Sequence, residues 1–345
     1  MQHSSPWLSI LVPVFNSAPH LEACLDSVLN QQTDGWELIA MDDCSTDDSL
    51  ALLQRYADRY PQRIRIGTHS RNRGPGATRN TLIDQAQGDY LWFLDADDCL
   101  MPGAMAALHR IVTQQVPDLV LCDYLSWKEG PLPVPRRIGG RSQVHTFRGG
   151  LVRTLSSDRA RLLQGMLQAG ETHVWSKIAR RSLWQTQGLQ FPEGCYFEDM
   201  ATSPRLALIA RSFYYEPSAW IAYRQHPSSI LATMSAQKVQ DWSRALRTFR
   251  TELDASPWAH TPAVRLALAQ AAARNVQGIL SFLRQRRTDG SLPASDIRAL
   301  AQRAEQDFEA ISPLAPAAWL KACLCRGWWG RYRRFRRWLA FLAQG

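Results

Sequence analysis

Three aspartates follow a short apolar run and are the first candidates for chemistry in this sequence. Asp95, Asp97 and Asp98 come directly after Tyr90–Leu94, whose five residues are all large and apolar. Such a run is typical of a strand buried on both faces of a parallel sheet, and open sheets of this kind bind ligands where their strands end. Three anions there repel one another and are costly to desolvate, so a bound cation or polar ligand would stabilise them.

The spacing of these aspartates limits what each can do. On an extended chain Asp95 and Asp97 share a face and lie about 7 Å apart at the backbone. Mg²⁺ takes oxygens at about 2.1 Å and usually only one or two protein carboxylates. We therefore predict that one aspartate binds a divalent metal, Mg²⁺ or Mn²⁺, and the other a hydroxyl of the ligand. The alternative is a solvated acidic turn that caps the strand.

Strands and helices alternate before and after these aspartates, which predicts an α/β fold. The predicted strands are Leu8–Phe15, Trp36–Met41, Ile64–Thr68, Tyr90–Leu94 and Asp118–Tyr124, and the intervening segments have helical spacing. This order implies right-handed crossovers and a mostly parallel sheet with helices on both faces. Further along, Asp158–Gln168 and Lys177–Trp184 read as helical, Ala219–Tyr223 as a short strand, and Gln237–Ile311 as helical.

Composition and missing motifs exclude several classes of protein. No G-x-G-x-x-G follows the first strand and no G-x-x-x-x-G-K-[ST] is present, which argues against a dinucleotide-binding oxidoreductase and a P-loop protein. Seven scattered cysteines suit a reducing compartment, and no run reaches the roughly 18 apolar residues of a membrane span. The expected location is the cytoplasm.

The 345 residues are long enough for one large or two modest domains. We predict a first half over residues 1–130, which contains the aspartates, and a second half over 131–235. A helical region over 236–317 and a basic amphipathic tail over 318–345 would follow.

Several motifs in order resemble those of family 2 glycosyltransferases with the GT-A fold, which is Rossmann-like. The stronger ones are Val12–Asn16 (VPVFN), Ser27–Gln31 (SVLNQ), Asp42–Asp47 (DDCSTD), Asn72–Gly74 with Arg79-Asn80, and Gly88–Asp98 (GDYLWFLDADD). The weaker ones are Trp175–Ile178, Glu198-Asp199 and Tyr223–His226. The sequence departs from the family at Cys44, where glycine is usual, so the shape of that acidic turn is in doubt.

The resemblance implies an inverting transferase that moves a sugar from a nucleotide diphosphate donor to a hydroxyl. Phe15 would stack on the base, and Asp43 would accept a hydrogen bond from it, which favours uracil and so a UDP-sugar. Arg79 would lie near the phosphates. The full set of implied nucleotide-sugar-binding residues is Pro13, Val14, Phe15, Asn16, Asp43, Gly74, Arg79, Asp95, Ala96 and Asp97.

Other roles follow from the same resemblance, which makes residues 1–130 the nucleotide-sugar-binding half and residues 131–235 the acceptor-side half. Asp95 would bind the ribose, Asp97 the metal, and Asp199 would be the general base, while Trp175, Lys177 and Glu198 would contact the acceptor. Several of the implied site residues also have a structural alternative. Phe15 could belong to the core, and Arg79 could simply pair with a carboxylate. Trp175 and Lys177 could be packing and surface residues. His226 could be structural or could lie near the phosphates.

The C-terminal tail has a different character. From Ala318 onward there are seven basic residues and no acidic one, which accounts for most of the net charge of +9. Apolar residues at helical spacing form one face: Trp328, Tyr332, Phe335, Leu339 and Leu342. A basic, Trp-rich amphipathic helix is typical of a membrane interface, so we predict peripheral binding to an anionic inner membrane surface. The alternatives are docking on the catalytic domain and, less well supported for lack of a recognised motif, nucleic-acid binding.

The sequence therefore predicts an inverting glycosyltransferase that extends a cell-surface glycan or a lipid-linked acceptor. One alternative is a sugar nucleotidyltransferase, although the glycine-rich, lysine-containing loop expected after Val14 is absent. The other is a non-catalytic protein that binds nucleotide-sugars and recruits partners through its tail.

Overall fold

The computed structural model describes residues 5–128, 143–186, 188–226 and 233–343. Its strands are β1 (Leu8–Val14), β2 (Trp36–Asp42), β3 (Ile64–Thr68), β4 (Tyr90–Phe93), β5 (Cys99–Leu100), β6 (Leu119–Trp127), β7 (Gln143–Val144), β8 (Leu155–Ser156), β9 (Lys177–Arg180) and β10 (Phe213–Arg224). Its α-helices are α1 (Ala18–Leu29), α2 (Ser49–Arg59), α3 (Gly74–Gln85), α4 (Ala104–Gln114), α5 (Arg159–Ala169), α6 (Arg181–Thr186), α7 (Glu198–Ile209), α8 (Ala236–Arg244), α9 (Arg247–Asp254), α10 (Pro262–Asp289), α11 (Ala294–Ile311), α12 (Pro316–Cys325) and α13 (Trp329–Ala343).

The strands of the described ranges form one mixed sheet in the order β3-β2-β1-β4-β9-β6-β10-β5, with β7 on β6 and β8 on β10. Strands β1 to β4 run parallel, with Val14 opposite Asp42 and Leu11 opposite Phe93. The predicted α/β fold with a mostly parallel first half is confirmed. Because these strands share a direction, the residues that follow β1, β2 and β4 meet at one edge of the sheet.

The prediction of a helix over Lys177–Trp184 is wrong in its first half. Lys177–Arg180 forms β9, which lies antiparallel between β4 and β6, and a helix begins only at Arg181. Ala219–Tyr223 is part of a longer strand, β10, whose register against β6 shifts twice. Because β9 lies between β4 and β6, its backbone groups form hydrogen bonds with both strands, and these replace the hydrogen bonds of a helix.

Alternate residues of the strands face two apolar clusters, one on each side of the sheet. Ile10 and Val12 pack with α1, α2 and α4, whereas Leu11 and Phe93 face α3, α5 and α7. The second cluster continues outward through α10 and α11 to the C-terminal helices. Burial on both faces is what the continuous apolar runs of β1 and β4 require.

The C-terminal tail docks on this helical layer, which was the alternative to membrane insertion of its apolar face. Trp319, Phe335 and Trp338 are buried in the same cluster, and the ring of Phe335 lies 5.0 Å from that of Phe308 on α11. Arg333, Arg334, Arg336 and Arg337 of α13 are exposed, Arg331 is half-buried against Trp328, and Trp329 is 60% exposed. The Trp328–Leu342 face therefore packs on protein, and peripheral membrane binding by the tail remains a prediction.

Two further predictions meet the limits of the described ranges. The predicted domain boundary at 130/131 lies outside them, so the division into four regions remains a prediction. No helix within the described ranges is both long and apolar enough to cross a membrane. All seven cysteines lie within those ranges and none forms a disulfide there.

Candidate active site

A cavity of about 780 Å³ opens at the edge where β1, β2 and β4 end. Every residue predicted to bind the nucleotide-sugar lines it: Pro13, Val14, Phe15, Asn16, Asp43, Gly74, Arg79, Asp95, Ala96 and Asp97. Glu198 lines it too, from the start of α7. The structure therefore gathers residues that are far apart in sequence around one space large enough for a nucleotide-sized ligand.

Phe15 and Asn16 form one wall of the cavity at the end of β1. The Phe15 side chain is 48% exposed, so the alternative that it belongs to the core does not hold. Asn16 accepts a hydrogen bond from the backbone N–H of Thr46 at 2.8 Å, which joins the ends of β1 and β2. Cys44, in the acidic turn between them, has a φ of 62°, so this cysteine keeps the left-handed backbone that glycine adopts without strain.

Asp43 holds the glycine-containing loop in place at the end of β2. Its buried carboxylate accepts from the backbone N–H of Arg73 at 2.9 Å and of Gly74 at 2.7 Å. His69 Nδ1 lies 2.7 Å from the same carboxylate. A base contact from Asp43 remains a prediction, and it would share an oxygen that already accepts from the protein.

The three aspartates after β4 can hold a cation. One oxygen from each of Asp95, Asp97 and Asp98 lies within 4.8 Å of the others. Asp98 is fully buried and accepts from Arg224 N at 2.8 Å through Oδ1, while no group of the described residues hydrogen-bonds to its Oδ2. Burial, followed by the charges of Asp97 and Asp95, raises the pKa of Asp98 well above its usual range. An orphaned carboxylate oxygen beside two other carboxylates fits a hard divalent cation with oxygen ligands.

The end of β10 closes this cluster from the other side. Arg224 donates from Nε to the carbonyl oxygen of Asp97 at 2.8 Å, and its guanidinium lies 3.9 Å from the ring centre of Trp127. His226 Nε2 lies 2.8 Å from Asp97 Oδ2. The sequence motif Tyr223–His226 pointed to this segment, but it gave no sign that Arg224 supports two of the aspartates.

Arg79 connects the two sides of the cavity. From α3 it donates through Nη2 to Asp95 Oδ1 at 2.7 Å and through Nη1 to Glu198 Oε1. Both Arg79 and Glu198 are nearly completely buried. Burial raises the pKa of Asp95 and Arg79 opposes that shift, while the charge of Asp97 adds to it. The pairing alternative for Arg79 is thus observed, and its phosphate contact remains a prediction.

Asp199 begins α7 beside Glu198 but lies just outside the lining that the described residues give this cavity. His173 Nδ1 lies 3.6 Å from Asp199 Oδ2. Burial works to raise the pKa of Asp199, but His173, Arg79 and the backbone N–H of Met200 outweigh it, so this pKa lies below its usual range. The carboxylate is therefore ionised at neutral pH, as a general base must be. Sequence reasoning did not single out His173.

Trp175 and Lys177, which were predicted to contact the acceptor, are both buried. Trp175 is 1% exposed and stacks on His173. Lys177 Nζ donates to the carbonyls of Glu171 and His173 and to Ser176 Oγ at 2.5, 2.8 and 2.7 Å. Burial lowers the pKa of Lys177 to about 8. Neither residue lines the cavity that the described residues form; both contact residue 173, and direct acceptor contact remains a prediction for each.

Comparison with known proteins agrees with this geometry. Residues 9–170 match the family model described as glycosyl transferase family 2. Over 242 residues the chain is 30% identical to the putative glycosyltransferase EpsH of Bacillus subtilis (strain 168), a match that covers 66% of this chain. The same match covers 63% of EpsH, so the chain spans just under two thirds of that relative.

Two solved structures share the fold. S. aureus TarS 1-349 in complex with UDP-GlcNAc superposes with a TM-score of 0.71 and 19% identity, covering 98% of this chain and 92% of that one. The mannosyltransferase PcManGT from Pyrobaculum calidifontis, in complex with GDP-Man and Mn2+, gives 0.57 and 16%, covering 99% and 88%. At these identities the likeness shows the fold, which is the one predicted from the strand-end motifs.

Proposed function

Because this chain belongs, through residues 9–170, to glycosyltransferase family 2, we propose that it is an inverting glycosyltransferase using a UDP-sugar donor. Its acceptor would be a hydroxyl of a cell-surface glycan or of a lipid-linked acceptor. The observation that carries this proposal is the single cavity shared by Asp43, Asp95 and Asp97, which come from different strand ends. Such a cavity suits a ligand with a base at one end and a diphosphate at the other.

In this proposal Asp199 is the general base. Its carboxylate takes the proton of the acceptor hydroxyl as that oxygen attacks the anomeric carbon. The bond from this carbon to the diphosphate breaks on the opposite face, so the configuration inverts and the electron pair leaves with the nucleotide diphosphate. A positioned general base of this kind contributes roughly 10²–10⁴-fold. The lowered pKa of Asp199 supports this role, because the base must be ionised before it can accept a proton.

The leaving diphosphate gains negative charge as the bond breaks. The aspartates after β4 would hold a divalent metal that stabilises this charge. Asp97, with the orphaned oxygen of Asp98, would ligate a divalent metal, and Asp95 beside them would bind the ribose. When bound, such a metal supplies positive charge to the diphosphate oxygens. Arg224 and His226 would keep the Asp97 loop in the position that ligation needs.

The identity of the donor nucleotide is a proposal, and the test of a donor panel decides it. A carboxylate at Asp43 can accept from the N3–H of uracil, and one structure with this fold holds UDP-GlcNAc. Guanine also presents N–H donors, and the other structure holds GDP-Man. UDP is therefore proposed first, and GDP-sugars belong in the same panel.

The first test measures nucleotide release from a panel of UDP- and GDP-sugars with Mg²⁺, with Mn²⁺ and with chelator. We expect metal-dependent release from a UDP-sugar, and a loss of about 100-fold or more in Asp97→Asn, because metal stabilisation of a leaving group is worth several kcal/mol. Asp118→Asn is the matched control, since this aspartate pairs with Arg180 at 3.5 Å and does not line the cavity.

Equal background release by the native protein and Asp97→Asn would reject catalysis. Calorimetric binding of UDP without turnover would then favour the non-catalytic alternative.

We further propose that the docked tail meets an anionic membrane surface through its arginines instead of its apolar face. Arg333, Arg336 and Arg337 are exposed on one side of α13, and the exposed Trp329 lies at the start of the same helix. Each basic residue close to an anionic leaflet adds about 1 kcal/mol before screening. This surface would bring the cavity near a lipid-linked acceptor.

A further inference from the structure

The imidazole of His173 is held on three sides by aromatic rings. It stacks on Trp175 with ring centres 4.8 Å apart and planes inclined by 4°. Tyr124 meets it edge-on at 5.9 Å, and Tyr223 lies at 5.5 Å. Lys177 also donates to the His173 carbonyl oxygen at 2.8 Å, which fixes the backbone below the ring. The ring therefore has one preferred plane.

In that plane both ring nitrogens face carboxylates. Nδ1 lies 3.6 Å from Asp199 Oδ2 and Nε2 lies 3.9 Å from Glu171 Oε2. These are ion-pair separations, slightly longer than hydrogen bonds. The far carboxylate is itself held, because Tyr124 donates its hydroxyl to Glu171 Oε2 at 2.8 Å. The order Tyr124, Glu171, His173, Asp199 is a supported chain that ends at the proposed base.

Asp199 needs such support because its surroundings oppose its charge. Burial favours the neutral carboxyl, and the nearby Asp95 carboxylate is a like charge. The groups that lower its pKa are His173, from the loop before β9, and Arg79, from α3, and the ammonium of Lys177 on β9 also interacts with it. Arg79 is already engaged by Asp95 and Glu198. Lys177 is engaged by three oxygens of residues 171–176, whereas a ring nitrogen of His173 lies 3.6 Å from the Asp199 carboxylate.

We propose that His173 is a positioning residue, which aims the Asp199 carboxylate at the acceptor hydroxyl. The proposal rests on the proposed function of Asp199 as base. It also gives Trp175 an indirect role, since the indole sets the plane of the imidazole. The titratable groups that face His173 are Glu171, Asp199, Tyr124 and Tyr223, and none of them is among the aspartates proposed to hold metal.

The first test needs no turnover. In protein labelled with ¹³C at aspartate carboxyls, Asp199→Asn assigns the Asp199 resonance, and its titration is then followed in His173→Gln. We expect the pKa of Asp199 to rise by about 1 unit or more, because an opposite charge within 4–6 Å holds a carboxyl down by 1–3 units. The control is His145→Gln, which removes a histidine 2.6 Å from the buried Asp123 and should leave Asp199 unchanged.

The second test separates this proposal from the function on which it rests. In His173→Gln, kcat should fall about tenfold at neutral pH because the carboxylate is no longer aimed at the acceptor, and the acidic limb of kcat should move to higher pH, with KM for the donor unchanged. An unaltered Asp199 titration would overturn the role of His173 even in an active enzyme. Absence of sugar transfer by the native protein would instead reject the proposed function. If both His173→Gln and His173→Asn fail to fold, His173 is structural and the proposal is overturned.

Discussion

At the scale of single residues, the buried guanidinium of Arg79 pairs with two carboxylates at the cavity, one buried and one half-buried. Arg79 meets Asp95, which ends a strand, and Glu198, which begins a helix far along the chain. Removing one partner of a buried pair leaves the others uncompensated, which commonly costs 3–5 kcal/mol. A surface pair, by contrast, is worth about 0–1 kcal/mol.

Arg79→Met should therefore lower the free energy of unfolding by about 3 kcal/mol. Urea unfolding at pH 7 measures this loss. The matched control is Arg73→Met, whose guanidinium pairs with Glu193 at 3.3 Å where both side chains are 40% or more exposed. We expect that control to lose less than about 1 kcal/mol. Similar losses in the two variants would show that Arg79 acts as an ordinary surface arginine.

Residue chemistry could be predicted where it is local and not where it depends on distant pairing. Asp95, Asp97 and Asp98 follow one strand, so their clustering is implied by the sequence alone. The contact of Asp199 with His173 joins two segments whose approach is decided by how α7 packs on the loop before β9. No periodicity in either segment encodes that contact, which is why His173 was missed.

At the scale of elements, β9 connects the surroundings of Asp199, the proposed base, to the aspartate cluster. This strand pairs with β4, which leads to Asp95, and it follows directly on the turn that carries His173. The turn is fixed by Lys177, the first residue of β9, whose ammonium reaches three oxygens of residues 171–176. The lysine is completely buried, so burying its charge costs free energy. The three hydrogen bonds of its ammonium must offset that cost.

The stability of the protein should therefore depend on pH through Lys177. Its pKa is lowered to about 8 in the folded state from 10.5, so between these values the unfolded chain binds the extra proton. Stability contributed by this group then rises with pH in that window and is lowest below it. Between pH 7.5 and 9.5 the native protein should gain on the order of 2 kcal/mol relative to Lys177→Met. Urea unfolding at both values measures the gain, and a constant difference would contradict it.

The strand β9 also shows where sequence patterns stop being informative about elements. The segment Lys177–Trp184 contains no glycine or proline that would mark a boundary between two elements. A strand of four residues offers too few positions for alternation to show. What makes it a strand is the gap between β4 and β6, which is a property of the whole sheet.

At the scale of the whole molecule, the tail illustrates an ambiguity that sequence cannot remove. The apolar face of α13 would look the same if it met lipid or protein, because both are apolar surroundings. In the structure it meets α10 and α11, and Phe335 and Trp338 become core residues. Deleting the tail would therefore expose core, so charge reversal is the sharper test of membrane contact.

Arg333→Glu/Arg337→Glu should abolish flotation with liposomes that contain anionic lipid. The physical reason is the loss of two cations and the gain of two anions on the outer side of α13. The matched control is Arg55→Glu/Arg59→Glu, an exposed pair with the same spacing on α2. Equal flotation by all three proteins would reject the membrane role, and flotation with purely neutral vesicles would show that charge is not its cause.

The docking of Phe335 and Trp338 has a geometric consequence for any such encounter. A helix anchored by two core aromatic residues cannot swing out on a hinge without opening the interior. The outer side of α13 would then contact the membrane in one fixed orientation. The cavity at the ends of β1, β2 and β4 would lie at one distance from the lipid headgroups and at one tilt. Reach toward an acceptor would be decided by the dimensions of the folded body, and acceptors of the wrong length would be excluded without any contact that recognises them.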